Sequence, residues 1–239
     1  MNPLTSEEAK RIAKDVKRVT GRLTRTQVVL CPPFIYISSL SNVTSKNLFL
    51  GAQDAFYEEA GSFTGEVSFR ELPQFNVSFV ILGHSERRKM GETDALINKK
   101  VKAVIGQGMT AIICVGESSR DSHGNYFGFI KEQILSSIRD IPKKSLSNII
   151  IAYEPIWAVG AKEAMNATDL LEISIFIKKV LKDYCGDISD DIRILYGGAV
   201  DRVNADVLVR DGNVSGLLIG RESLKAKDFV EIIKLVDNI

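Results

Sequence analysis

The chain is expected to be an α/β protein built as a β/α barrel, with seven of eight strand–helix units visible and the first strand missing. Three observations carry this expectation. Short apolar runs alternate with longer amphipathic stretches along the whole chain. The runs lack polar alternation, as strands covered on both faces of a parallel sheet do. The 239 residues contain no Pro/Gly/Ser-rich linker, so residues 1–239 read as one domain. Its length falls roughly eleven residues, about one strand, short of the ~250 usual for a closed barrel. An open doubly wound sheet is the other architecture such alternation allows. Seven runs, in a chain that opens on a helix, suit a barrel lacking its first strand.

In order, the pattern starts with a helix over 6–19, with Glu7 and Glu8 in its first turn and Gly21 just past its end. Apolar runs follow at 27–31, 47–51 and 77–82. A helical pattern spans 93–107 and a run spans 110–115. Further helices are expected over 127–139, 168–184 and 225–236, separated by runs at 148–153, 192–196 and 214–219.

Composition narrows the class. Hydrophobic residues at 45% and charged residues at 26% suit a packed core rather than a disordered chain. Lys plus Arg is 31 against 30 for Asp plus Glu, and this balance argues against nucleic acid or an anionic membrane as partner. No apolar run approaches the ~20 residues of a membrane span. The N-terminus lacks an apolar signal core, so a cytoplasmic protein is expected. Cys31, Cys114 and Cys185 are odd in number and far apart, which speaks against a disulfide scaffold or a zinc site. The only histidines are His84 and His123, so no multi-histidine metal centre is expected.

Barrel chemistry sits where strands end. Glu154 closes the very apolar run Ile149-Ile150-Ile151-Ala152-Tyr153; burial there would raise its pKa and suit a general base. His84 directly follows another buried run. A helix starting near Ser85 would keep its imidazole neutral and able to donate to a carbonyl oxygen. His123 lies in a polar turn and is given no role. Gly197-Gly198 and Gly220, after the last two strands, could offer backbone N–H groups to a phosphate. Pro155-Ile156-Trp157 followed by small residues reads as a mobile lid with one stiff hinge. Each feature also has an ordinary explanation: a paired strand-end Glu, a core His, tight turns, a surface loop with a packed Trp. Together they suggest proton abstraction beside the carbonyl of a small phosphorylated substrate, with no cofactor and no metal. Neither a Walker loop nor a dinucleotide fingerprint occurs.

These residues sit in longer motifs that resemble the triosephosphate isomerase family. They are Gly51-Ala52-Gln53-Asp54, Phe63-Thr64-Gly65-Glu66-Val67, Gly83-His84-Ser85-Glu86-Arg87-Arg88, Cys114-Val115-Gly116-Glu117, Tyr153-Glu154-Pro155-Ile156-Trp157 and Leu195-Tyr196-Gly197-Gly198, all in the family's order. The resemblance implies a TIM barrel that interconverts dihydroxyacetone phosphate and glyceraldehyde 3-phosphate through an enediolate, in glycolysis and gluconeogenesis. It puts Glu154 at the base, His84 at the electrophile and Glu86 beside the site. It puts Gly160, Ala199, Gly220 and Arg221 at phosphate-contacting positions. Phe63, Thr64 and Gly65 fall on the loop that reaches into a partner subunit, which implies a homodimer.

The sequence also departs from the family. The strand that ends Asn-x-Lys in relatives has no match here, and a start placed at an internal Met would explain this. That lysine supplies positive charge at the site, so a truncated or catalytically inactive barrel acting as a binding module is the alternative reading. The lid tip reads Gly160-Ala161-Lys162-Glu163-Ala164, so either one glycine of the usual tip is deleted or Lys162 replaces it, and the Lys-x-Ala match favours deletion. Ala199 stands where serine is usual, and Arg221 stands for the second glycine of a pair, where it could add charge near a phosphate.

Overall fold

In a computed structural model, which describes residues 2–159 and 164–239, seven parallel strands hydrogen-bond in chain order. The first helix, α1 (Ser6–Thr20), starts where Thr5 accepts the Glu8 N–H, with Glu7 and Glu8 in its first turn and Lys17 and Arg18 in its last. It buries Ala9, Ile12, Ala13 and Val16, one stripe at helical spacing. Then come β1 (Val28–Leu30), α2 (Phe34–Leu40), β2 (Leu48–Ala52), β3 (Val77–Leu82), α3 (Ser85–Lys89), α4 (Asp94–Gly106) and β4 (Thr110–Val115). The second half runs α5 (Asn125–Ser137), β5 (Ile149–Tyr153), α6 (Ala167–Cys185), β6 (Arg193–Tyr196), α7 (Ala205–Arg210), β7 (Gly216–Leu217) and α8 (Ala226–Asp237).

The strand periodicity divides the apolar side chains between two cores. Ile81, Ile112, Cys114, Ile150 and Ala152 meet inside the curl of the sheet, with Cys31, Phe79, Leu195 and Leu218 half-buried around them. Their alternates Val80, Leu82, Ile113, Val115, Ile151, Tyr153, Ile194 and Tyr196 face the helices. Ladder partners keep this sorting, with Ile112 opposite Ile150 and Cys114 opposite Ala152. Both faces of the strands are therefore apolar, which is why the runs show no polar alternation.

The sheet ends at β1 on one side and β7 on the other. The helical layer is continuous where the strand ladder is not. Ile12 and Val16 of α1 share an apolar cluster with Phe229 and Ile233 of α8, and Val28 and Leu48 lie beneath it. A polar clasp adds to this seam. The Asp237 carboxylate accepts the backbone N–H groups of Thr24, Arg25 and Thr26 at 3.1, 2.9 and 2.8 Å. Asp237→Ala should speed hydrogen exchange at those three amides while the amides of β4 and β5 stay protected. Unchanged exchange at 24–26 would mean that the clasp holds nothing.

Two short helices were not expected. α2 and α7 have seven and six residues, too few for a 3.6-residue period to show. They exist because Tyr36, Ile37 and Leu40, and Ala205 and Leu208, bury into the main core. β7 is also shorter than its apolar run, consistent with an edge strand paired only to β6. No helix among the described residues is long and apolar enough to cross a membrane.

Candidate active site

The C-terminal ends of β3, β4, β5 and β6 bring the expected carboxylate and imidazole together. β3 leaves through Gly83, at φ +69°, a conformation that side-chain-bearing residues rarely adopt. His84 then caps α3. Its Nδ1 accepts the Glu86 backbone N–H at 3.3 Å, and its Nε2 lies 3.1 Å from Glu154 Oε1. A ring nitrogen that accepts carries no proton, so this pattern assigns the Nε2–H tautomer, with its donor aimed at the carboxylate.

Glu154 is buried, with only 2% of its surface exposed. The ladder sets its position: its N–H donates to Val115 O at 2.8 Å, and the Gly197 N–H donates to Tyr153 O at 2.8 Å. The neighbouring strand ends leave room only for glycine. A Cβ on Gly116 would fall 1.9 Å from Glu154 O, and one on Gly197 2.8 Å from Glu154 Cγ. The second carboxylate oxygen accepts the Ser85 N–H at 3.1 Å. Burial pushes the Glu154 carboxyl above its ordinary value of 4.5; His84, the Ser85 amide and the Cys114 thiol pull the other way without reversing the shift. The arrangement is a desolvated base whose lone pairs are engaged by His84 and Ser85. It differs from the ordinary strand-end pair with Arg or Lys.

Glu117, after β4, is the buried residue that motif reading left without a role. Its carboxylate accepts from Tyr153 Oη at 2.9 Å, Trp157 Nε1 at 3.0 Å and Arg120 Nε at 2.9 Å. The Arg120 guanidinium also lies over the Trp157 ring, 5.3 Å from its centroid. The expected hinge is therefore tied down through its indole N–H. On the far side of the loop, the Met165 N–H donates to Tyr196 Oη at 3.1 Å. Gly160 and the expected lid tip lie outside the described residues.

The glycine turns fall on the same rim, with one correction. The Gly197 N–H is committed to Tyr153 O, because it continues the β5–β6 ladder, so it is not open to a phosphate. Gly198 and Ala199 follow it. Gly220 opens the turn Arg221–Leu224, with Arg221 exposed. A Cβ on Gly198 would sit 2.1 Å from Tyr196 Oη. Gly198→Ala should therefore displace the hydroxyl that holds Met165. The expected cost is about 1–3 kcal/mol, read by urea unfolding. A wild-type midpoint would show that Tyr196 yields freely.

Glu86 points outward, with its side chain 70% exposed and its carboxylate 3.8 Å from His84 Nδ1. Phe63, Thr64 and Gly65 form an exposed turn, with the Phe63 ring resting on Phe56 at 4.6 Å.

Beneath α3 lies a charged network that no sequence pattern signalled. Arg87 reaches Asp54 and Glu92, each at 2.7 Å. Buried Lys100 binds both oxygens of Asp54, at 2.8 and 2.9 Å, and also Glu92. Burial alone would push the Glu92 carboxyl up, but Lys100 and Arg87 hold it below its ordinary value.

Parallel strands curled in chain order, with a buried carboxylate facing an imidazole nitrogen at their C-terminal ends, define a β/α barrel with a carboxylate–imidazole pair on its rim. Comparison with known proteins places it within that class. The family described as triosephosphate isomerase matches residues 1–236, and the chain belongs to that family. A triosephosphate isomerase of Alkaliphilus oremlandii (strain OhILAs) is 38% identical over 232 residues, covering 95% of this chain and 93% of the relative. One of Lawsonia intracellularis (strain PHE/MN1-00) is 36% identical over 98% of this chain and 94% of its own length. One of Rhodopirellula baltica (strain DSM 10527 / NCIMB 13988 / SH1) is 38% identical over 97% and 92%, respectively.

Proposed function

We propose that this chain is an isomerase that interconverts dihydroxyacetone phosphate and glyceraldehyde 3-phosphate, with Glu154 as the base and His84 as the electrophile. The observation that carries these roles is the 3.1 Å approach of His84 Nε2 to a desolvated carboxylate. Glu154 exchanges its contacts with Ser85 and His84 for the carbon-bound proton next to the substrate carbonyl. The electron pair left behind delocalises onto the carbonyl oxygen, forming the enediolate. His84 Nε2–H donates to that oxygen as negative charge grows there. The hydroxyl proton moves from the neighbouring oxygen to this one, beside the His84 ring, and Glu154 returns the carbon-bound proton to the adjacent carbon, so that ketone and aldehyde exchange places. A raised carboxyl pKa brings the base closer to the operating pH and strengthens proton transfer.

Family membership implies a small phosphorylated triose as substrate, and the glycolytic and gluconeogenic step follows from it. The phosphate is assigned to Gly198, Ala199, Gly220 and Arg221, with Gly160 from the lid. Glu86 stands beside the imidazole. The exposed Phe63-Thr64-Gly65 turn is assigned to a homodimer contact, and the cytoplasm is the assigned compartment. Conversion of glyceraldehyde 3-phosphate by the purified protein tests the reading, with Glu154→Gln purified in parallel to expose trace host enzyme. Turnover no greater than that control would overturn it.

A further inference from the structure

α3 carries two adjacent arginines that leave in different directions. Arg87 goes to the buried Asp54–Glu92–Lys100 network. Arg88, with its side chain only 14% exposed, turns toward the strand ends. Its Nε donates to Gly83 O at 2.7 Å, its Nη2 to Cys114 O at 3.1 Å and its Nη1 to Asp94 Oδ1 at 2.6 Å. Gly83 is the residue before His84. Cys114 is the residue before Val115, whose carbonyl accepts the Glu154 N–H at 2.8 Å.

We infer that Arg88 is a positioning residue: its guanidinium fixes the distance between the β3 exit, which carries the His84 and Ser85 donors, and the β4 end that adjoins Glu154. Three features support this. The fork spans two main-chain carbonyls and a carboxylate at once, which one ammonium cannot do with the same geometry. The Gly83 turn is shaped around it, since a Cβ there would fall 3.2 Å from Arg88 Nη2 and 2.8 Å from Ile97 Cδ1. The α3 backbone also returns to the same residue, because the Arg88 N–H donates to His84 O at 3.0 Å. Arg88 thus holds His84 through its own amide and through the preceding carbonyl. As a statement about turnover, the inference rests on the isomerase reading above.

Imidazole nitrogen NMR tests it directly, because the chain has only two histidines and His123 serves as internal reference. Wild-type His84 should show a single Nε2–H tautomer. Arg88→Met should show mixed tautomers. Its kcat per inhibitor-competent site should fall about tenfold to a hundredfold, as sub-ångström misplacement of a reacting group implies. Affinity for a phosphate-bearing inhibitor should stay within about twofold, because phosphate contacts lie on other strands. Calorimetric stoichiometry supplies the count of competent sites and removes any loss due to misfolding. Arg88→Lys keeps the charge toward Asp94 without the fork, and it should show the same changes to a smaller degree. It carries the test if Arg88→Met does not fold. A wild-type tautomer signature with wild-type kcat per site in the variant that folds overturns the inference. If wild type itself does not turn over, the isomerase reading fails, and the imidazole spectra alone decide the role of Arg88.

Discussion

Glu154→Gln is expected to lower isomerisation about a thousandfold, within the range for loss of a positioned general base. The change keeps the shape of the side chain and leaves an acceptor for the Ser85 N–H, so the loss reports proton transfer. Two further effects follow from the raised carboxyl. In wild type, kcat/KM should fall on the acid side at a pH above 4.5, because burial favours the protonated form. Stability should respond with a definite sign. The unfolded chain ionises Glu154 near 4.5, whereas the folded chain ionises it higher. Between those values the unfolded state binds fewer protons, so stability drops as pH rises through the window. Glutamine never ionises. Glu154→Gln should therefore melt higher than wild type at neutral pH, and the difference should vanish below about pH 4, where both states of wild type are protonated. A variant that melts lower at neutral pH would show that the ionised carboxylate is a net stabiliser here.

Arg87→Met is expected to cost about 3–5 kcal/mol, as removal of one partner from a buried ion network does. The network holds two cations and two anions, so the variant leaves Asp54 and Glu92 facing Lys100 alone. Urea unfolding would read this as a lower midpoint with an unchanged slope. Arg18→Ala is the comparison. Arg18 pairs with Asp15 at 3.1 Å but is 68% exposed, and its loss should change stability by less than about 1 kcal/mol. Equal effects from the two variants would mean that burial adds nothing to the Arg87 network.

Much of the site was legible because barrel chemistry collects where strands end. Glu154 and His84 each follow a continuous apolar run, and the ends of β5 and β3, with only β4 between them, meet on one rim. The Glu117 cluster was not legible. Tyr153, Trp157 and Arg120 converge on one carboxylate from two loops and a strand end, and only the β4–β5 register brings them within 3 Å. The β5–β6 register takes the Gly197 N–H for the ladder, although a Gly-Gly turn by itself looks equally open at both amides.

By itself, the sequence determined the seven parallel strands, their apolar character on both faces, the long helices and the residue types at the rim. These follow from local pattern, because a period of two or of 3.6 residues is a property of neighbours in the chain. Only the tertiary structure decided the short helices α2 and α7, the Asp54–Arg87–Glu92–Lys100 network and the Asp237 clasp. Each depends on partners far apart in the chain. The clasp joins positions more than two hundred residues apart, and Lys100 reaches Asp54 across 46. A charge or a seven-residue segment has no periodicity to announce its fate. Whether it is buried, paired or solvated is settled by what folding brings against it.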